Sequence, residues 1–225
     1  TKRSISNIVR IVTKTYRYTS IHELNAALRQ FNVTADRGSE ASLMFKNLGL
    51  IYSIVDENGN KIGVPIKASS IYGKPTLKYL EKQFKLNEVL RQPHKAKLKS
   101  MIDHTLGKPM TPELFRQLLL RQGIHVAFRE NKDHLIYGIT FVDNNTRTVF
   151  NGSDLGKAYT AKSILETLGP DSAKDNTSTK FMERDSHDTV LENPLIDVTH
   201  AGQYDFTQSQ PSKPKRKKKK RKPKF

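Results

Sequence analysis

The sequence predicts an α+β fold of two related units that share one core, each unit being a helix, a short strand, a hairpin and a second helix. Apolar residues recur at helical spacing in some stretches and alternate around two hairpin turns in others. The same order of elements occurs twice along the chain. A polar segment without periodicity follows near residue 170, where we expect the fold to end.

Two helices open the chain. The first is predicted over 4–16, with its apolar residues at helical spacing: Ile5, Ile8, Val9 and Val12. The second runs from about Ile21 to Phe31. Ser20 would cap it, and Glu23 lies three residues on, as in a capping box. Asn32 then stands where a left-handed residue commonly ends a helix.

A change of period to two predicts a hairpin over 51–66. Ile51 to Val55 forms the first strand, and Asn58-Gly59 is a strong hairpin turn. The apolar residues of the return strand alternate: Ile62, Val64 and Ile66. A long basic helix follows from Pro75 to about Leu106, either continuous or broken near Pro93.

The second half repeats this order. Thr111-Pro112-Glu113 is typical of a helix start, and Gly123 marks the end of that helix. Strands are predicted over 124–128, 135–142 and 147–150, with a turn at 143–145. Ala161 to Leu168 is the closing helix.

The two halves also match residue by residue. Leu50-Ile51-Tyr52-Ser53-Ile54 aligns with Leu135-Ile136-Tyr137-Gly138-Ile139, and Lys67-Ala68-Ser69-Ser70-Ile71 aligns with Asn151-Gly152-Ser153-Asp154-Leu155. One unit alone would bury little apolar surface, so two units are expected to pack together. The alternative is chance similarity between two α+β segments.

Charge divides the chain into four regions. Residues 1–106 hold the first unit with the basic helix, and 107–170 hold the second unit. Together, residues 1–170 carry a net charge of +12. Residues 171–211 have a net charge of −5 and are predicted to be a disordered acidic linker. Residues 212–225 form a tail of charge +10. A basic fold of this kind favours a polyanionic partner, the alternative being a merely soluble basic surface.

Composition excludes several classes. The chain contains no cysteine, so disulfides, thiolate metal sites and cysteine nucleophiles are absent. No apolar run approaches the length of a membrane span, and no apolar secretory segment opens the sequence, so we expect a soluble cytoplasmic protein. None of the seven histidines lies within four residues of another, so no helix or strand presents a metal-binding pair. The first residue is Thr1, which favours a fragment of a longer protein.

Two serine-containing turns are candidate phosphate sites. Lys67-Ala68-Ser69-Ser70 and Asn151-Gly152-Ser153-Asp154 each lie between a strand and a helix. Small residues let backbone amides face outward there, and a following helix start adds positive potential. The side chains proposed to contact DNA at these turns are Lys67, Ser69 and Lys74 in the first unit and Ser153, Lys157 and Lys162 in the second. The alternative is ordinary helix capping by Ser or Thr.

Further candidate DNA contacts lie on the basic helix and in the tail. Lys74, Lys78, Lys82 and Lys85 recur at helical spacing and would line one face, which could follow a DNA backbone or simply be solvated. Tyr72 and Tyr79 could stack on bases of a single strand, although core packing is the favoured interpretation for both. The tail, including Lys217 and Lys218, suits non-specific phosphate contact.

The second unit resembles a region that follows the nuclease domain in relaxases of mobilisable bacterial elements. The resemblance is carried by Gly123-Ile124, Tyr137-Gly138-Ile139 and Gly152-Ser153-Asp154-Leu155-Gly156-Lys157-Ala158-Tyr159. In the first unit, 35–40 and 63–69 resemble the same region of relaxases from Bacteroidetes-type elements. The resemblance covers roughly residues 4–168.

This resemblance implies a role in conjugative DNA transfer. Relaxases nick the transfer origin through a tyrosine, with a metal held by a His-x-His-type cluster. Neither that cluster nor a recognisable nucleophile segment is present here, so no catalytic residue is carried over. No cofactor is expected in this chain, whereas the nuclease domain, expected before Thr1, would use a divalent metal. The expected partners are transfer-origin DNA and relaxosome accessory or coupling proteins, with no membrane partner.

Three functions are compatible with the sequence. The leading hypothesis is a DNA-binding accessory region that positions the origin strand for a nuclease domain outside this chain. The second is a protein-interaction module of the relaxosome, which an exposed hydrophobic patch would favour. The third is an intact nuclease with an unusual metal site, which would require His94, His104, His125 and His134 to converge in space.

Overall fold

The fold is mixed α and β, with two three-stranded antiparallel sheets. The structure is a computed structural model that describes residues 2–131 and 135–169. The predicted acidic linker and basic tail, including Lys217 and Lys218, lie outside the described residues.

Helices α1 (Lys2–Thr15) and α2 (Ile21–Arg29) agree with the two predicted opening helices. The Ser20 side chain accepts a hydrogen bond from the Glu23 N–H, so the predicted cap is confirmed. The Glu23 carboxylate, however, bonds to Thr19 rather than reaching back to the cap residue, so the predicted capping box is wrong in its second half. Asn32 has a φ of 56°, which confirms the left-handed end.

The first sheet has the order β1 (Val33–Asp36), β2 (Ile51–Val55), β3 (Lys61–Lys67). The turn between β2 and β3 contains Gly59 at a φ of 81°, as its sequence predicts. A short helix that the sequence did not indicate, α3 (Leu43–Lys46), joins β1 to β2. Strand β3 lies at the edge of the first sheet and buries only the last of its three alternating apolar residues. Ile66 is 7% exposed, whereas Ile62 and Val64 are 50% and 86% exposed.

Helix α4 (Leu77–Thr105) connects the two halves of the fold. It is continuous through Pro93, so of the two predicted alternatives the single helix is correct. Leu80 belongs to the core beside the first sheet, and Leu98 and Ile102 belong to the core beside the second. At 29 residues this helix is about 43 Å long. Among the described residues, no helix combines the length and apolar character needed to cross a membrane.

The second sheet has the order β4 (Ile124–Glu130), β5 (Ile136–Asp143), β6 (Thr148–Asn151). It is preceded by α5 (Pro112–Arg121), which Thr111 caps as predicted. It is followed by the short helix α6 (Gly152–Leu155), a 3₁₀ turn at Lys157–Tyr159 and the closing helix α7 (Ala161–Leu168).

Both faces of the second sheet are covered. Phe141 points into the core formed with α4, α5 and α7, whereas the next residue, Val142, joins the core of α1, α2 and the first sheet. Successive strand residues point to opposite faces, so β5 serves both cores. This arrangement places α2 against both sheets.

The segment between α1 and α2 continues the second sheet beyond β6. The Arg17 N–H donates to the Arg147 carbonyl at 2.8 Å, and the Val149 N–H donates to the Arg17 carbonyl at 3.0 Å. The Tyr16 hydroxyl donates to Asn144 at 2.7 Å. Residue 17 therefore forms a parallel bridge with Thr148.

Candidate nucleic-acid interface

The first serine-containing turn is exposed, but it is not adjacent to a long helix. Lys67 ends β3, and Ser69 lies in a 3₁₀ turn over Ala68–Ser70. The Ser70 hydroxyl donates to the Lys67 carbonyl at 2.8 Å. Helix α4 begins only at Leu77, so the expected contribution of a following helix start to this turn is wrong.

The loop between that turn and α4 presents an aromatic side chain to solvent. Tyr72 is 80% exposed, which contradicts the favoured prediction of core packing. It lies before the helix and beside Gly73, which has a φ of 83°, so helical spacing does not govern its direction. Tyr79, one turn into α4, packs against the first core as predicted.

Three lysines of α4 share an exposed face. Lys78, Lys82 and Lys85 are four and three residues apart and all exposed, as the helical spacing predicts. Lys74 is exposed too, but it precedes α4 and has a φ of 43°, so it does not belong to the helical row. The exposed residues Lys67, Ser69, Tyr72, Lys74, Lys78, Lys82 and Lys85 are close along the chain, and we call this set the basic face.

Arg91, another cation of α4, is buried. Its side chain is only 3% exposed and meets the fully buried carboxylate of Glu23, with Nη1 to Oε1 at 2.8 Å. Nine residues separate Arg91 from Lys82, which is two and a half turns, so the two side chains leave α4 on opposite faces. Arg91 is therefore unavailable to the basic face.

The Glu23–Arg91 pair lies in a dense polar network. Glu23 also accepts hydrogen bonds from the backbone N–H and hydroxyl of Thr19 and from the Asn151 N–H at 3.1 Å. Burial raises the pKa of Glu23, and the neighbouring Arg91 and the Thr19 donors oppose that shift.

On the other side of the pair, Arg91 reaches a backbone carbonyl and two further carboxylates. It donates to the Val149 carbonyl at 2.8 Å, to Glu88 at 2.8 Å and to Asp154 at 3.2 Å. Its guanidinium carbon lies 4.7 Å from the centre of the Phe150 ring. The network thus ties α2, α4 and the end of the second sheet together.

The second serine-containing turn is committed to internal contacts. Ser153 is exposed, but it lies within the four-residue helix α6, next to the Asp154 carboxylate that pairs with Arg91. The glycine before it is required by packing, because a Cβ at Gly152 would lie 2.0 Å from the Tyr159 carbonyl oxygen. A carboxylate in this turn disfavours a bound phosphate.

The cations near this second turn are exposed and the helix that follows is conventionally capped. Lys157 is exposed, and the exposed Lys162 lies 3.9 Å from Glu166. Thr160 caps α7 by accepting from the Ser163 N–H at 3.4 Å. The residue that caps α7 is therefore Thr160 and not Ser153.

The two serine-containing turns do not form one site through α4. Asp154 approaches the buried face of α4 at Arg91, whereas Lys78 and Lys82 occupy the opposite, exposed face. The candidate residues therefore divide into the basic face of the first unit and a separate group at Ser153, Lys157 and Lys162.

An exposed apolar stretch on α4 follows the lysines of the basic face, and the sequence analysis did not predict it. Leu86, Val89 and Leu90 on α4 are 53%, 71% and 45% exposed. They follow directly on Lys82 and Lys85 along the same side of the helix. The helix period alone could have revealed this stretch, because these residues do not share the buried stripe of Leu80 and Leu98.

The nuclease hypothesis requires four histidines to converge, and three of them lie among the described residues. Within 2–131 and 135–169, no group of three His, Asp or Glu side chains could hold a metal ion. His94 and His104 are ten residues apart on α4, about 15 Å, which is too far to share one ion. His134, the fourth histidine of that hypothesis, lies outside the described residues.

Comparison with known proteins adds no assignment. No protein-family model, no curated protein and no solved structure matches this chain.

Proposed function

We propose that this chain is a DNA-binding accessory region of a relaxase, gripping transfer-origin DNA for a nuclease domain outside the chain. The observation that carries the proposal is the basic face, where exposed lysines and the exposed Tyr72 are close along the chain. The relaxase assignment rests on the resemblance of Tyr137-Gly138-Ile139 and 152–159 to that family. A divalent metal would then belong to the nuclease domain, and the cytoplasm is the expected location.

The basic face suits the phosphate backbone of a strand. The sequence from Lys74 to Lys85 contains four lysines and one acid, Glu81, so the local field is positive. Lysines contact phosphates without reading sequence, whereas an exposed tyrosine stacks on an unpaired base. We therefore propose that single-stranded DNA is the preferred form.

The duplicated unit and the flanking segments belong to the same proposal. The matches between 50–54 and 135–139 and between 67–71 and 151–155 support an origin of the two sheets by duplication. The acidic segment 171–211 is proposed to space the fold from the tail, whose ten cations would add non-specific affinity.

The test is fluorescence anisotropy of the full chain with labelled single- and double-stranded oligonucleotides over a series of salt concentrations. To separate the fold from the tail, all cations of 212–225 are replaced by Gln in one background. In that background, K74Q/K78Q/K82Q should weaken binding and lower the slope of log K against log salt by about 2–3.

A matched control removes the same charge elsewhere. Lys46, Lys108 and Arg121 are exposed outside the basic face, and the triple variant K46Q/K108Q/R121Q should bind DNA nearly as well as its parent. If both triple variants lose affinity equally, binding follows net charge and the basic face is not a site. If the tail-neutralised chain does not bind at physiological salt, the proposal fails.

The exposed apolar stretch on α4 favours a second candidate, a protein-interaction module of the relaxosome. Leu86, Val89 and Leu90 form an apolar centre, with Lys82 and Lys85 before it and Lys97 beyond it. Apolar side chains edged by lysines complement an amphipathic helix with acidic flanks.

That candidate is tested with a labelled amphipathic peptide helix rich in Leu and Glu. The double variant V89D/L90D should abolish its binding, because the charges would be buried and repelled. The control S100D/H104D places two acids further along the same helix and should retain binding. Equal binding by both variants, or none by the parent chain, would reject this candidate.

A further inference from the structure

A polar cleft opens between α2, the β2–β3 turn and strands β4 and β5. Its volume is about 500 Å³, within the range of sites that enclose small ligands. The side chains that matter for its chemistry are His22 and Arg29 from α2, Asn58 from the turn, and Arg129, Tyr137 and Thr140 from the sheet. It contains none of the residues of the basic face.

The guanidinium of Arg129 is fixed in this cleft by a glycine. Strand pairing sets Arg129 opposite Gly138. A Cβ built on Gly138 would lie 2.5, 2.6 and 2.8 Å from Nε, Nη2 and Cζ of Arg129. These nearly equal distances mean that the plane of the guanidinium faces the Gly138 backbone. Tyr137 flanks the same group, with its ring centre 5.6 Å from the guanidinium carbon.

The cleft carries cations that its own acids do not pair. Among the described residues, neither Arg29 nor Arg129 forms an ion pair, and the buried Nε of Arg129 has no hydrogen-bond partner. Tyr137 is 64% exposed although it lines the cleft. Glu57 and Glu130 also line the cleft, so its two arginines are accompanied by two acids.

We infer that this cleft binds one nucleotide, with the base stacked beside Tyr137 and Arg129 and the phosphate held by Arg29. A base can stack on a guanidinium plane or on an aromatic ring, and an unpaired arginine donates hydrogen bonds to a phosphate. Asn58 offers polar contacts to the edge of the base, whereas the buried Thr140 hydroxyl donates to Asn151 at 3.0 Å. If the nucleotide is part of a DNA strand, the inference rests on the proposed function. If the nucleotide is free, the inference is independent of it.

The glycine provides a sharp variant. G138A pushes the Arg129 guanidinium from its place, and the clash is with the far end of a flexible side chain, so the sheet should still form. Y137A removes the stacking ring. L120A, which removes an exposed apolar side chain outside both the cleft and the basic face, is the matched control. The fold of each variant is checked by the dispersion of its amide NMR spectrum.

The measurement is amide NMR titration of the full chain with thymidine 5′-monophosphate, thymidine and inorganic phosphate in parallel. We expect the monophosphate to shift residues of the cleft, with G138A and Y137A weakening binding about 5- to 150-fold and L120A leaving it unchanged. Shifts by phosphate equal to those by the nucleotide would show a simple anion site and overturn the inference. Shifts confined to residues 67–85 would also overturn it.

A second titration with a short single strand of thymidines distinguishes the two sources of the nucleotide. Weaker strand binding by G138A supports a nucleotide within DNA, and binding of the monophosphate alone supports a free nucleotide. If K74Q/K78Q/K82Q abolishes strand binding while G138A and Y137A change neither titration, the proposed function holds and this inference fails. If G138A and Y137A weaken binding while K74Q/K78Q/K82Q does not, the cleft is supported as a nucleotide site and the proposed role of the basic face fails.

Discussion

At the scale of single residues, the buried pair of Glu23 and Arg91 matters most to the fold. A buried charge that loses its partner keeps its desolvation cost, so R91M should lower the free energy of unfolding by about 3–5 kcal/mol. The measurement is urea denaturation followed by circular dichroism. The double variant E23L/R91M should be less destabilised than the two single variants combined, because no unpaired charge remains.

A matched control for that prediction is the exposed pair of Arg116 and Glu113, at 3.2 Å. R116M should cost no more than about 1 kcal/mol, since solvent screens such pairs. An equal loss of stability in R91M and R116M would contradict the importance of the network around Glu23.

His125 gives the fold a dependence on pH. Burial lowers the pKa of His125, and Arg116 lowers it further. Its contribution to stability is complete above the ordinary imidazole pKa of about 6.5 and is lost as the pH falls through the lowered folded value. H125Q should therefore show a smaller loss of stability between pH 7.5 and pH 5 than the parent chain.

Urea denaturation at several pH values measures that difference. The exposed His104 supplies the matched control, H104Q. If H125Q and the parent chain lose equal stability on acidification, the pH dependence arises elsewhere, for example at His22, whose pKa burial and Arg129 also lower.

At the scale of elements, α4 contains a proline that costs it a hydrogen bond. Pro93 is exposed and cannot donate to the carbonyl of Val89. P93A should restore that bond and raise the free energy of unfolding by about 1–3 kcal/mol. The control S100A changes propensity alone on the same helix and should contribute less than about 0.7 kcal/mol. A loss of stability in P93A would show that the local geometry at Pro93 lets α4 reach both cores.

The loop that leads from β6 to α7 depends on close backbone approach. Because a Cβ at Gly152 would overlap the Tyr159 carbonyl, G152A should destabilise the fold by several kcal/mol. Gly107 meets only ordinary contacts, the nearest at 3.5 Å, so G107A is the matched control and should be near neutral. Thermal unfolding of the two variants decides the point, and similar midpoints would contradict it.

At the scale of the whole molecule, α4 makes the two cores depend on each other. L80A empties part of one core and L98A part of the other, and each should cost about 2–5 kcal/mol. Both variants should still unfold in one transition when followed by far-ultraviolet circular dichroism and by tyrosine fluorescence. Two separate transitions in L98A would show that the cores unfold independently.

Local signals predicted much of this fold. Asn32, Asn58-Gly59 and Thr111-Pro112 determine turns and caps through their own backbone preferences, so the sequence reveals them directly. The burial of Arg91 could not be predicted in this way, because the carboxylates of Glu23 and Asp154 that pair with it come from distant elements. Helical spacing separates Arg91 from Lys82, but it does not show which face of α4 meets the buried Glu23.

The candidate sites show the same division. Lys78 and Lys82 were foreseen because exposure follows the helical period. The exposure of Tyr72 was not, since it lies in a loop where periodicity has no meaning. The pairing of Arg129 with Gly138 depends on the register of β4 and β5, which the sequence leaves open.

The bridge between Arg17 and Thr148 has a consequence for solubility. Without it, β6 would end the second sheet with unpaired backbone groups, the kind of edge through which chains join into aggregates. Residue 17 covers that edge at one point, while the Tyr16 hydroxyl holds the neighbouring turn through Asn144. The segment before α2 thus protects this edge from pairing with a strand of another chain.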